Sequence, residues 1–67
     1  MDIQIGEVWL DRDEVEVHIT HIDPSGPFPV HGYIMVDDEK QKEQYTLQGC
    51  YLGMKSESQM DLVERKD

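Results

Sequence analysis

The sequence predicts a small all-β protein, an antiparallel five-stranded barrel of SH3-like type. Three observations lead to this prediction: short segments with apolar residues at every second position, connections rich in turn residues, and no amphipathic helical pattern longer than about one turn. The chain has 67 residues, which fits one domain over residues 1–67. At this size a curled barrel buries the inward side chains of every strand, whereas an open sheet leaves its edges exposed.

The first two strands are predicted over residues 3–10 and 15–22, with a polar turn at 11–14 between them. Gly6 marks a bulge or a close backbone approach in the first strand. The second has the clearest alternation, with Val17 and Ile19 on one face and polar side chains on the other. This alternation predicts a half-buried antiparallel strand.

Residues 23–29 carry three prolines and a glycine, which predicts an ordered loop, because proline lacks the backbone donor of a sheet ladder. The third strand is predicted over residues 30–36, and Gly32 within it marks close approach of another segment. The charged run 37–43 is interpreted as a solvated hairpin connection.

A tight hairpin is predicted over residues 44–52 with its turn at Gln48 and Gly49, since glycine accepts the positive φ that a two-residue loop requires. A short closing strand is predicted over residues 61–64. An alternative is an α+β domain in which residues 56–65 form a C-terminal helix. The predicted core consists of Ile5, Val8, Val15, Val17, Ile19, Ile34, Val36, Leu47, Leu52 and Leu62.

Three short segments carry a resemblance to a known group of proteins. They are Pro-Val-His-Gly at 29–32, Leu-Gln-Gly-Cys-Tyr-Leu at 47–52 and Asp-Leu-Val at 61–63. With them the chain resembles small accessory proteins encoded by bacteriophages and prophages. The resemblance implies a small β-barrel without enzymatic activity, in some such proteins an inhibitor of host defence, acting in the host cytoplasm. It assigns a role to no individual residue.

The net negative charge of the chain limits the classes of molecule that it can bind. The chain has 15 acidic and 6 basic residues, a formal net charge of −9, so it lacks the clustered lysine and arginine that nucleic acid requires. Repeated negative charge on a rigid scaffold favours a basic protein surface, in particular one that binds nucleic acid, with exposed aromatic side chains at the centre of the contact. The predicted contact residues are Asp11, Asp13, Glu14, Glu16, Asp37, Asp38, Glu39, Glu43, Trp9 and Tyr33.

The sequence also allows functions other than binding a basic surface. One alternative is a structural adaptor or peptide-binding module, including a homodimer, in which the charge serves solubility alone. His18, His21 and His31 raise a metal hypothesis, but their spacing matches no compact zinc motif and surface histidines are favoured. Cys50 lacks the partners of a catalytic nucleophile. We therefore predict no enzymatic activity, no cofactor and no metal.

The sequence also predicts the compartment. No apolar run approaches the roughly 20 residues that span a bilayer, and the acidic N-terminus does not resemble a signal peptide. The single cysteine excludes an intrachain disulfide. We expect a cytoplasmic protein that does not contact a membrane.

Overall fold

A computed structural model describes residues 2–52 and 57–66. The described chain forms one antiparallel sheet with the strand order β4-β3-β2-β1-β5. The all-β prediction is thus confirmed, but the sheet is open, with β4 and β5 as its edges, so closure into a barrel is not confirmed. The strands are β1 Val8–Asp11, β2 Glu16–Ile22, β3 Val30–Val36, β4 Glu39–Tyr45 and β5 Leu62–Lys66.

β2 and β3 lie close to their predicted positions, whereas β1 is much shorter than the strand predicted over residues 3–10. β3 has the predicted bounds, and residues 23–29 form a loop before it. β1 starts only at Val8, because the chain first turns between Gln4 and Glu7 with Gly6 at φ 90°. The predicted bulge glycine therefore serves a turn that precedes the strand.

The second half of the chain corrects two predictions. The charged run is a strand rather than a solvated connection, because a two-residue turn at Asp37 and Asp38 pairs Val36 with Glu39 and starts β4. The hairpin predicted at residues 48–49 is wrong, since no strand follows it directly. Gly49 does have a positive φ of 84°, in a turn after β4.

The core lies on one face of the sheet. Half of the predicted core is wrong: Ile5, Val15, Val36, Leu47 and Leu52 are exposed, and Val8 is only half-buried. These positions lie in turns or at strand ends, where alternation no longer fixes which face a side chain takes. The buried apolar residues are Ile3, Trp9, Val17, Ile19, Val30, Ile34, Tyr45 and Leu62.

The opposite face of the sheet, called the outer face below, is reshaped by a bulge in β2. Ile19 pairs with Gly32 and His21 with His31, so Thr20 is the extra residue. The bulge shifts the alternation by one position and places His21 on the outer face beside His31. Gly32 has the predicted close approach, since a Cβ there would lie 2.6 Å from the His18 carbonyl oxygen.

The segment after β4 runs from one edge strand of the sheet to the start of the other edge strand, β5. The Leu62 N–H donates to the Gly49 carbonyl at 2.8 Å, and the Tyr51 N–H donates to Asp61 Oδ1 at 2.8 Å. The alternative of a C-terminal helix is wrong over the described residues, because residues 57–61 contain a turn and no helix, and residues 62–65 belong to β5; residue 56 of the predicted helix lies outside the described residues. Residues 2–52 and 57–66 contain no helix long and apolar enough to cross a membrane.

Candidate functional site

The topology brings the two acidic turns to the same end of the sheet. β1 and β3 run parallel to each other, so the turn that follows each of them lies at the same end. With strands about 4.8 Å apart, the centres of the two hairpins are separated by about 10 Å. We call this surface the acidic end and define it by five exposed carboxylates: Asp13, Glu14, Asp37, Asp38 and Glu39.

The β1–β2 turn is held by Asp11. Its Oδ1 accepts the N–H of Asp13 at 2.8 Å and that of Val15 at 2.9 Å, and the side chain is buried. Glu14 has a φ of 64°, a conformation in which glycine is usual. Glu14 is thus a turn residue within the polar turn predicted at residues 11–14, and it does not share a strand with Glu16, the first residue of β2.

The β3–β4 turn has two residues in the left-handed region, Asp37 at φ 51° and Asp38 at φ 66°. Positive φ at both central residues is the signature of a type I′ hairpin, for which Asn-Gly is the preferred sequence. Aspartate tolerates this conformation better than most side chains. The turn therefore presents two carboxylates where a neutral pair would fit with less strain.

Three predicted contact residues are buried, so they are not available at the surface. Trp9 lies in the core and its Nε1–H donates to Glu7 Oε1 at 3.0 Å. Asp11 holds the turn just described. Glu43 is 7% exposed and accepts the Tyr51 hydroxyl at 2.9 Å. Glu16 remains exposed but forms an ion pair with Lys66.

Glu43 belongs to a polar cluster beneath β4. Its hydrogen bond with Tyr51 raises the pKa of that phenol, because the neutral hydroxyl is the donor. Tyr45 is fully buried, and burial together with the nearby Glu43 charge raises its pKa. The Tyr45 hydroxyl has no hydrogen-bond partner among the described residues. These side chains contribute to the packing of the fold, and the Tyr45 hydroxyl oxygen is a buried polar atom among them without a hydrogen bond to a described residue.

Two further carboxylates are tied into the fold. Burial opposes ionisation of Asp61, but hydrogen bonds from the N–H groups of Tyr51 and Ser58 and from Arg12 outweigh it and lower the pKa. The Gln4 N–H and the Trp9 indole lower the pKa of Glu7. These acidic residues stabilise the fold and are not part of the acidic end.

The outer face carries a groove of about 710 Å³ between the loop after β2 and strand β4. His21 and His31 lie side by side in it, with ring centroids 5.7 Å apart. Tyr33 stacks on His18 at 4.9 Å, and Lys40 Nζ lies 4.6 Å from the Tyr33 ring centroid. Tyr33 thus lies in this groove, away from the acidic end.

The groove also contains the described lysines that form no ion pair. Arg12, Arg65 and Lys66 each bind a carboxylate. Lys40 and Lys42 form no ion pair with a described residue, and both point to the outer face of β4. The surface thus divides into an acidic end and a groove with local positive charge.

The sequence does not predict the groove. Its charged run 37–43 indicates a hairpin connection, and in such a connection Lys40 and Lys42 are not expected to point to one face of a sheet. No group of three or more histidine, cysteine, aspartate or glutamate side chains over residues 2–52 and 57–66 could hold a metal ion. Comparisons with protein-family models, with curated proteins and with solved structures give no match.

Proposed function

We propose that this chain is a non-catalytic acidic binding protein that occludes a basic, nucleic-acid-binding surface of another protein. The observation that carries the proposal is the convergence of two acidic hairpins at one end of the sheet, with five exposed carboxylates that form no ion pair with a described residue. The resemblance to phage accessory proteins makes a host defence or regulatory protein the partner class we propose, in the host cytoplasm.

The geometry of the turns favours a binding role for these carboxylates rather than a role in solubility alone. Glu14, Asp37 and Asp38 all have positive φ, where glycine or asparagine would cost less. A surface that needed only solubility could place its carboxylates on the exposed strand positions. Retaining charge at strained positions fits a site that exchanges some stability for binding.

We also propose that the sheet belongs to the SH3-like barrels. The order β5-β1-β2-β3-β4 suits such a barrel, and the bond from the Leu62 N–H to the Gly49 carbonyl supports a nearly closed arrangement. Because the two turns protrude from a rigid end of that sheet, their carboxylates would meet a partner with little loss of conformational freedom.

The first experiment captures partners from host lysate at low and physiological salt and then measures binding of the recovered protein. We expect binding to weaken strongly with salt, because the screening length of exposed charges falls from about 30 Å at 0.01 M salt to about 8 Å at physiological ionic strength. We also expect this chain to compete with nucleic acid for the partner. A partner that binds equally well at both salt concentrations would support the adaptor function instead.

Asp13→Asn combined with Glu39→Gln tests the site itself. The two residues come from different hairpins, and neither has a positive φ, so turn strain is unchanged. We expect association to slow about threefold to tenfold at low salt. The matched control, Asp2→Asn with Glu64→Gln, removes the same charge elsewhere; equal slowing in both variants would contradict a localised acidic site.

A further inference from the structure

The free edge of β4 can be assigned atom by atom. β4 pairs only with β3 among the described strands, so half of its backbone groups have no partner in the sheet. In a two-residue hairpin the closing pair, Val36 and Glu39, exchanges both hydrogen bonds, and such pairs then alternate with non-hydrogen-bonded ones. The N–H and C=O groups of Lys40, Lys42 and Gln44 therefore point outward.

The same residues line the outer-face groove. Lys40 and Lys42 are two positions apart on one strand, so their Cα atoms lie about 6–7 Å apart along the edge and their side chains share one face. Phe28 borders the groove together with Gln44. The edge thus combines outward backbone groups, two lysines without ion pairs and an apolar contact.

We propose that the β4 edge binds an acidic peptide segment of a partner protein as an added antiparallel strand. Acidic side chains at alternate positions of that segment lie opposite Lys40 and Lys42. Since the strands are antiparallel, the residue opposite Gln44 comes first and is apolar, in contact with Phe28. The recognised pattern is an apolar residue, any residue, an acid, any residue and an acid.

Charge disfavours a second copy of the chain over most of this edge. In a symmetric antiparallel pairing of β4 with itself, a register that centres on Gln41 places Lys40 opposite Lys42 and Glu39 opposite Glu43. Registers centred on Lys40, Lys42 or Glu43 place each of these residues opposite its own copy. Like charges directly opposite destabilise a strand pair, so charge favours an acidic partner over self-association.

The probe is a fluorescent peptide of sequence Thr-Leu-Thr-Glu-Thr-Glu-Thr, measured by anisotropy. Lys40→Gln with Lys42→Gln should weaken its binding about threefold to tenfold, the sum of two cross-strand charge pairs. Lys66→Gln on the opposite edge strand should leave it unchanged. Equal binding of a peptide with lysine in place of glutamate would overturn the proposal, as would no binding of the glutamate peptide at millimolar concentration.

Gln44→Pro separates strand addition from charge alone. Proline there removes an outward N–H but no bond to β3, a position where edge strands tolerate it. We expect peptide binding to fall more than tenfold while the thermal unfolding transition is retained. Unchanged binding in this variant, or oligothymidylate binding in place of the peptide, would overturn the proposal.

Amide hydrogen exchange of the unmodified protein gives an independent test should the proline variant not fold. In the free protein, the N–H groups of Lys40 and Lys42 should exchange quickly and those of Gln41 and Glu43 slowly. Saturating peptide should slow exchange at Lys40, Lys42 and Gln44. Protection confined to other strands would overturn the proposal.

Discussion

Replacing Asp38 by glycine tests whether the β3–β4 turn is strained. Asp38 has a φ of 66° in the described hairpin. The left-handed conformation costs a non-glycine residue about 1–2 kcal/mol, and aspartate lies toward the lower value because its short side chain can bond locally. The greater freedom of glycine in the unfolded chain offsets about 0.4–1 kcal/mol. The net expectation is a gain of about 0.5 kcal/mol at most.

Urea unfolding followed by Trp9 fluorescence measures this gain, since Trp9 is the sole tryptophan and is buried. For a domain of this size the gain corresponds to a rise in Tm of about 2–4 °C. The matched control is Asp38→Ala, which removes the same charge but keeps the Cβ. If strain is the cause, glycine is more stable than alanine at this position.

Two results would refute the reasoning. Equal stability of the glycine and alanine variants would show that relief of charge repulsion, rather than backbone strain, changes the free energy of unfolding. A loss of stability in the glycine variant would show that the Asp38 side chain holds the turn. In either case the argument that carboxylates are retained at strained positions for binding would lose its basis.

Substitutions at four other positions test the packing and the buried polar groups by urea or thermal unfolding. Asp11→Ala should destabilise by about 2–3 kcal/mol, since two N–H groups lose their acceptor, and Asp11→Asn by less, because an oxygen remains. Tyr45→Phe should stabilise by about 1 kcal/mol, because it removes a buried hydroxyl without a partner; a loss would reveal a bond to that oxygen. Gly32→Ala should destabilise by about 1–3 kcal/mol, as its Cβ would meet the backbone of β2. The pKa of Asp61 in the folded protein lies below its usual 3.8. The ionised side chain therefore stabilises the fold above pH 3.8, and this stabilisation is lost as the pH falls further. The free energy of unfolding should fall less steeply with acid in Asp61→Asn, and identical acid profiles of the two proteins would contradict this.

The sequence was sufficient for β2, β3 and the proline loop, because each combines a clear signal with a clear boundary. Val17 and Ile19 alternate with polar neighbours, and the prolines exclude residues 23–29 from a ladder. The all-β class followed from these elements. Where one face of a strand is buried, alternation is a sufficient guide.

β4 could not be found in this way because it is an edge strand with few buried side chains. Only Glu43 and Tyr45 are buried along it, and a charged run without alternation is typical of a solvated turn. Burial of Glu43 depends on Tyr51, eight residues further along. The groove could not be predicted for the same reason. Its position depends on which residues of the charged run point to the same face of β4.

The place of β5 at the sheet edge next to β1 has a consequence for synthesis of the protein. β1 starts at Val8 and its neighbour β5 ends at Lys66, so this pair joins the first and the last strand of the described sheet. Translation supplies β5 after the other four strands, and until β5 has left the ribosome β1 exposes an unpaired edge. Loss of β5 from a prematurely terminated chain would leave Trp9 and Val17 without Leu62, and we expect such chains to aggregate or be degraded.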